Sequence, residues 1–444
     1  MKKTLASLLT ILTVMTPTIH VFGEVIAEGK TKIVHSYAYD PSLAIFQSKD
    51  DITAGDGAKH DIIQGKAELA TRTTCNVFRL LAECGMPIAF QKQLDAYSFL
   101  GDLCEMIPYE VVVRREAHGS YLKRNPHLAK GNVFPKLVVE FFLKTSNRNW
   151  MGIPIPKDDP FIQFTDSGAL VFLPDVPIEG QKPFMTLSDF PLKDQPELFE
   201  QITLLAKQTF LILEKAWQLE NGRLVDFKVE FGINSDGTLL LADVIDNDSW
   251  RVIQNQHYID KQVYRDGGEI DKVVALYRHV SMVTDHFKLP TQQLILWRGS
   301  EYDDLTPFTK PLESFTNDHL KLSQVTCSVH KNPVGSYMAL QEKIKEIPDS
   351  VLIAYIGRSN GAGPTLSANA TIPVITAPAG WDKFHEDVWS SLRAPSMTPV
   401  MTILEPQNAV LAALQILAIR NPLLYMQLRI KQEERLVNVF DLDN

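Results

Sequence analysis

Residues 224–231 read Leu-Val-Asp-Phe-Lys-Val-Glu-Phe. Val225, Phe227, Val229 and Phe231 alternate with Asp226, Lys228 and Glu230, so a strand here puts the apolar set on one face and three charges on the other. The apolar face demands a packed layer beneath it. The charged face demands water, counter-charges or a ligand. Asn234-Ser235-Asp236-Gly237 then form a turn, and TLLLADVI (238–245) returns as a second strand. Folding about that turn brings Asp243 level with Lys228 and Glu230 on the charged face, subject to a one-residue slip in register. Two readings of the face stand side by side. Glu230 and Asp243 can hold Mg²⁺, which prefers oxygen ligands and bridges nucleotide phosphates, with Lys228 neutralising phosphate charge. Alternatively, the same charges form a salt-bridged, solvent-facing sheet.

The rest of the chain has room for at least one further domain. At 444 residues it is long enough for two. Residues 65–85 have a helical stripe (Ala70, Val77, Phe78, Leu81) ending at a capping Gly85. Residues 108–113 read as a strand and 197–219 as a second helix. Residues 145–195 are rich in Pro, Asp, Lys and Gly with weak periodicity, and are expected to be long loops or an insertion covering a site. After residue 284 the character changes. A polar link with Pro290 leads into QLILWRG (293–299), and helical and strand patterns alternate from there to 419. Continuous apolar strands such as Val351–Ile356 suit a parallel sheet buried on both faces. The domain boundary is placed near 285–291.

Two further groups of residues are suited to anions. Glu28-Gly29-Lys30-Thr31-Lys32 precedes a strand-like stretch, and two lysines beside a glycine suit phosphate oxygens; a solvated basic turn has the same look. Arg114-Arg115, Gly119-Ser120 and Lys123-Arg124 follow a strand and combine guanidinium groups with a hydroxyl and free backbone. Ser249 with Arg251 is similar in kind. The net charge of −9 argues against general binding to nucleic acid or acidic membranes, but local basic clusters leave small anions open. Cys75, Cys84, Cys104 and Cys327 are far apart and form no CxxC pair, which argues against structural zinc and a disulfide framework.

EGKTK (28–32), QSKDDITAGDG (47–57), CEMIPYEVVVRREAHGSYLKRNP (104–126), LVDFKVEFG (224–232) and LADVIDNDSWR (241–251) occur in order over roughly residues 24–285. Together they resemble the successive motifs of the phosphoribosylaminoimidazole-succinocarboxamide synthase (SAICAR synthetase) family, in the form found in bifunctional animal enzymes. The resemblance implies an α+β, ATP-grasp-like domain over 24–286. It implies ATP-dependent ligation of L-aspartate to carboxyaminoimidazole ribonucleotide through an acyl phosphate, with Mg²⁺. It further implies Lys30 and Lys32 on ATP phosphates; Lys228, Glu230 and Asp243 on nucleotide and metal; and Arg114, Ser120, Lys123, Ser249 and Arg251 on the phosphoribosyl substrate or aspartate. Asp226, Lys228 and Arg251 are the implied catalytic residues of this domain.

SVHK (328–331), GRSNGAGP (357–364) and DVWSSLRAPS (387–396) resemble the aminoimidazole ribonucleotide (AIR) carboxylase family, in the version that uses CO₂ directly. The implied fold over 291–444 is a three-layer α/β, flavodoxin-like parallel sheet. Ser300, Asp303, Arg358, Ser359 and Asn360 are its implied substrate residues, and His330 and Lys331 its implied catalytic ones. The sequence departs from the family at several points. Tyr302 takes the place of a small hydroxyl and Glu301 adds charge beside it. Ala368 and Ala370 flank Asn369, and Met397-Thr398-Pro399 replaces a glycine-rich stretch. Loss of glycine can block close backbone approach to a ligand. The domain is therefore an active carboxylase, a degraded one kept for assembly, or one that has taken another ligand. The resemblance also implies a homo-oligomer, up to an octamer, built through this domain; Val410–Ile419 reads equally as core helix or interface.

Lys2 and Lys3 before the apolar run Leu5–Val14 resemble a secretory signal over residues 1–23. ATP and aspartate are cytosolic, so a cytoplasmic enzyme starting at Met15 is the expectation, with no membrane or nucleic-acid partner. Two rival functions stand: a non-enzymatic nucleotide-binding scaffold, and a kinase acting on a related small carboxylate.

Overall fold

The computed structural model describes residues 22–54, 59–165, 168–315, 317–357 and 361–440. The expected leader lies outside these residues, apart from Phe22 and Gly23, which open the first strand. Arg358, Ser359 and Asn360 also lie outside them.

The first domain begins with an antiparallel meander of β1 (Phe22–Glu28), β2 (Lys32–Tyr37) and β3 (Leu43–Ser48). Helix α1 (Lys66–Glu83) follows, then β4 (Phe90–Gln93) and β5 (Ser98–Asp102), which close the meander in the order β1-β2-β3-β5-β4. Gly65 and Gly85 bracket α1 in the left-handed region (φ 84° and 72°), and the stripe Ala70, Val77, Phe78, Leu81 is buried as its spacing requires. The larger antiparallel sheet takes β6 (Tyr109–Glu116), β7 (Val133–Leu143), β8 (Phe161–Thr165), β9 (Gly168–Phe172) and β10 (Met185–Leu187). Helix α2 (Pro196–Leu219) packs on it. Next come β11 (Arg223–Ile233), β12 (Leu239–Ala242), β13 (Trp250–Gln254) and helix α3 (Ile270–Thr284).

Strand β11 lies at the centre of this sheet. Its first half pairs with β6 and β13 on either side, and its second half pairs with β12. Val225, Phe227, Val229 and Phe231 are all buried, and the last three join one core with residues of α1 and α2. Each such side chain contributes about 1.5–3 kcal/mol by the apolar area it removes from water.

The loops expected over 145–195 are a correction. Strands β8, β9 and β10 extend the sheet through this stretch, and Asn149–Trp150 pairs with Ile153–Pro154. Both faces of β9 are covered, and β8 is covered at its start. Ile162 and Val171 join the main core, while Phe161 and Phe172 pack on Phe142. A five-residue strand covered on both sides, as β9 is, shows no alternation to read.

The second domain is a parallel sheet of β14 (Gln292–Arg298), β15 (Leu320–Thr326), β16 (Ser350–Gly357), β17 (Val374–Ala379) and β18 (Met401–Thr402), in the order β15-β14-β16-β17-β18. This is the flavodoxin-like order, whose ligand crevice lies at the carboxyl ends of the first and third strands, where the winding reverses. Helix α4 (Thr306–Leu312), helix α6 (Pro406–Ala418) and the last helix α7 (Pro422–Phe440) cover one face, and α5 (Pro333–Glu346) covers the other with residues 362–368. Val410, Ala413, Leu414 and Leu417 are buried against the sheet, so this face of the helix is core. Among the described residues, no helix is long and apolar enough to cross a membrane. The cysteines are free.

Candidate active site

Asp226, Lys228 and Glu230 share one face of β11, as the alternation requires. Register with β6 sets Asp226 opposite Arg114 and Lys228 opposite Val112, so Glu110, Val112 and Arg114 lie on the same face. Successive same-face residues of a strand are about 7 Å apart. The charges therefore fall into two groups, one at each end of the face.

At one end stand Glu110, Glu230, Lys144, Lys228, Lys32 and Asp243. Lys228 Nζ donates to Glu110 Oε1 at 2.7 Å, and Lys144 Nζ donates to Glu110 Oε1 at 3.0 Å and Glu230 Oε1 at 2.5 Å. Burial pushes the Glu110 carboxyl up, but Lys228 and Lys144 outweigh it and hold it at about 2. Glu230 is likewise held below the usual carboxylate range, with the same two lysines overcoming burial. Lys32 forms an ion pair with Asp243. Its burial lowers the ammonium to about 8, against the pull of Glu230.

The register expected for Asp243 is off by one. Glu230 faces Ala242, and β12 ends there. Asp243 still reaches the cluster because its backbone turns left-handed (φ 63°) and leaves the strand. That conformation is uncommon for a residue other than glycine and is held here by its surroundings. Lys30 sits exposed in the β1–β2 turn, so the two lysines of EGKTK part company: Lys32 enters the cluster and Lys30 stays in solvent.

At the other end, Arg114 donates from Nε to Glu140 Oε2 at 2.6 Å and from Nη1 to Asp226 Oδ2 at 2.8 Å. Arg251 Nη1 donates to the same Asp226 oxygen at 2.8 Å. Asp226 is thus clamped between two guanidinium groups. The Gly119-Ser120 turn packs on Arg251, with Gly119 at φ 57° and the position of an added Cβ only 2.8 Å from Arg251 Cζ. The backbone favours glycine there, and any Cβ would have to displace the Arg251 guanidinium. Ser120 follows as the first residue of a short helix ending at Arg124. Lys123 is exposed, while its neighbour Arg124 is buried and donates to Glu140 Oε1 at 2.6 Å. Ser249 is occupied within its own turn: its hydroxyl donates to the Val244 carbonyl at 3.1 Å and accepts from Asp246 N at 3.2 Å.

Sequence reasoning missed several members. Glu110 and Lys144 complete the first cluster, and Glu140 completes the second. Glu110 carries a signal in the sequence, since it alternates with Val111 and Val113 on the strand that ends in Arg114. Lys144 lies beyond the end of β7 and has no comparable signal. Asp159 approaches from the segment expected to cover a site: burial, reinforced by Glu110, raises its carboxyl to about 6. Behind the turn 244–249, Asp248 pairs with Lys66 and Lys261 and accepts from the Tyr277 hydroxyl.

In the second domain the loop after β14 lies at the carboxyl edge of the sheet. Ser300 N donates to Asp303 Oδ2 at 3.0 Å, and Asp303 Oδ1 stands 3.1 Å from where a Cβ on Gly357 would lie. This joins the ends of β14 and β16, the place where this strand order puts a crevice. Tyr302 is 99% exposed. His330 and Lys331 are exposed beyond β15. Met397 has φ 67° and is also exposed, so the residue standing in the glycine-rich stretch keeps a glycine-like backbone.

An antiparallel domain with a two-ended charged face, joined to a flavodoxin-like parallel sheet, defines a two-domain α+β and α/β protein. The family described as SAICAR synthetase matches residues 25–165 and 177–278, and AIR carboxylase matches residues 295–436. The chain is 33% identical over 434 residues to the probable multifunctional protein ADE2 of Caenorhabditis elegans, covering 94% of this chain and 95% of that protein. It is 36% identical over 422 residues to the Drosophila melanogaster bifunctional phosphoribosylaminoimidazole carboxylase/phosphoribosylaminoimidazole succinocarboxamide synthetase, covering 92% of each. Over 255 residues it is 42% identical to the phosphoribosylaminoimidazole-succinocarboxamide synthase of Chloroflexus aurantiacus, covering 57% of this chain and 90% of that one. The chain belongs to the bifunctional family that joins a SAICAR synthetase domain to an AIR carboxylase domain.

Proposed function

We propose that the first domain ligates L-aspartate to carboxyaminoimidazole ribonucleotide at the expense of ATP, in purine biosynthesis. The observation that carries this reading is strand β11, which bears Asp226 in the arginine clamp at one end and Lys228 and Glu230 in the lysine–carboxylate cluster at the other. A phosphorylated donor and an anionic acceptor have adjoining places on one rigid face.

A carboxylate is a poor acyl donor because oxide would have to leave. Attack of its oxygen on the γ-phosphorus of ATP expels ADP and leaves an acyl phosphate. The aspartate amine then attacks the acyl carbon, the C–O bond to phosphate breaks, and the nitrogen gives up protons to become an amide. Arg114, Arg251 and Ser120 would hold the anionic imidazole nucleotide or aspartate. Lys32, Lys144 and Lys228 would transfer their ion pairs from protein carboxylates to phosphate oxygens. The protein mainly positions reactants and screens charge.

Glu230 and Asp243 fit Mg²⁺. They are hard oxygen donors, both neighbours of Lys32, and this ion is commonly held by one or two carboxylates plus substrate phosphates. When bound, it supplies neutralisation of charge on the transferring phosphoryl group.

The test is ATP- and aspartate-dependent consumption of carboxyaminoimidazole ribonucleotide with release of ADP. Asp243→Asn is expected to lose nearly all ligation with an unchanged circular dichroism spectrum; near-normal turnover in that variant refutes the metal assignment. The second domain is read as carboxylating AIR with CO₂ at the edge that holds Ser300 and Asp303, with Arg358, Ser359, Asn360, His330 and Lys331. Its test is carboxylation by the full chain carrying Asp243→Asn, which stops the ligase from consuming the product. No product with bicarbonate present identifies a degraded carboxylase. The reading includes a cytoplasmic homo-oligomer. Val334, Tyr337 and Met338 are exposed on α5, an apolar surface suited to self-association, and sedimentation of the purified chain tests it.

A further inference from the structure

Arg114 and Arg115 are neighbours on β6 but face opposite ways. Arg114 enters the substrate clamp. Arg115 points behind the sheet, where its Nε donates to Glu214 Oε1 on α2 at 2.7 Å. Its Nη1 donates to the Phe134 carbonyl at 3.1 Å, and its Nη2 to Glu433 Oε1 at 3.0 Å. Glu433 belongs to α7, the last helix of the carboxylase domain, and its side chain is only 5% exposed. Its other oxygen accepts from Leu137 N of β7 at 2.9 Å. Eight residues earlier on the same helix, the Tyr425 hydroxyl donates to Glu214 Oε2 at 2.9 Å. Helix α7 therefore holds both ends of the Arg115–Glu214 pair and one strand of the ligase sheet. Its apolar side chains divide in the same way: Leu423 and Met426 enter the ligase core, and Leu424 and Leu428 enter the carboxylase core.

Buried charges of this kind are costly to strip of a partner. Without α7, Arg115 would face one carboxylate instead of two, and Leu137 N would lose its acceptor.

We propose that α7 is a working part of the ligase, bracing from behind the strand that carries Arg114, so that the carboxylase domain is needed for ligation whether or not it carboxylates. In that role Arg115 and Glu433 are positioning residues. The proposal rests on the ligase reading of the first domain, but two of its readouts do not.

The experiment uses the full chain with a protease site inserted between Pro290 and Thr291. After cleavage, the two fragments are expected to co-elute on gel filtration and keep ligase activity. In the cleaved Glu433→Ala protein they are expected to separate. In the uncut chain, Glu433→Ala is expected to lower the unfolding midpoint by roughly 5 °C. It should also raise KM for carboxyaminoimidazole ribonucleotide about tenfold, with little change in KM for ATP. Glu433→Gln, which keeps an acceptor for Leu137 N, is expected to recover part of both. The proposal is overturned if the cleaved fragments separate and the first retains full kcat/KM, or if Glu433→Ala leaves both midpoint and KM unchanged. If the parent chain shows no ligation at all, the ligase reading fails, while co-elution and the unfolding midpoint still decide whether α7 holds the domains together.

Discussion

Gly119 and Met397 are two residues whose backbones take positive φ, with opposite expectations for substitution. At Gly119 the turn lies against the Arg251 guanidinium, so any Cβ must displace it. Because that group ends a flexible chain, it is the arginine that yields, and the positive-φ backbone (φ 57°, ψ −131°) adds about 1–3 kcal/mol of strain. Gly119→Ala is therefore expected to raise KM for the imidazole nucleotide at least about tenfold in steady-state assays, with the fold retained. At Met397 the side chain is 94% exposed and φ is 67°. Met397→Gly gives up little packing and relieves the strain, so denaturant unfolding should show the second domain stabilised by up to about 1 kcal/mol, the relief exceeding the entropy glycine adds to the unfolded chain.

Strand β11 works as an element because its two faces do unlike jobs. One face is anchored by aromatic and β-branched side chains, and the other carries charge held in place by that anchoring. The segment bearing Asp159 lies over the charged face and responds to it. Burial, and then Glu110, raise the Asp159 carboxyl to about 6, so the folded protein binds a proton more tightly than the unfolded chain does. This contribution to stability is fully present below the unfolded carboxylate pKa and is lost as pH rises through about 6. Asp159→Asn fixes an uncharged side chain that still accepts from Thr145. Relative to the parent, the variant should gain roughly 1–3 kcal/mol between pH 4 and pH 7.5 in denaturant titrations. An equal difference at both pH values would contradict the shift.

The whole molecule is held together by one helix that serves two cores. Leu424 is fully buried on the carboxylase side of α7 and Met426 nearly so on the ligase side. Leu424→Ala and Met426→Ala are each expected to cost about 2–5 kcal/mol. Because the two cores share the helix, calorimetry should show both substitutions lowering one common transition. Two separate transitions, each moved by only one substitution, would mean that the domains melt independently.

The alternation at 225–231, the stripe on α1 and the apolar runs of the second domain were legible because each depends only on local period and on which face meets the core. Asp226, Lys228 and Glu230 were legible in the same way, as charges placed on a known face. Lys144 was not, because it reaches Glu110 and Glu230 from a strand end distant in sequence. Strands β8 to β10 were not, because they run for only three to five residues, and β9, covered on both faces, has no alternation to read. Asp243 was placed one residue out of register, and only its left-handed backbone returns it to Lys32. The sequence by itself determined the two-faced hairpin strand, the parallel character of the second sheet and the residue types of the charged face, since these follow from periodicity and composition; the two fold families came from motif resemblance. Tertiary structure alone decided how those charges pair and that the last helix of one domain packs behind the strand that carries Arg114 in the other, because contacts across hundreds of residues leave no local pattern to read.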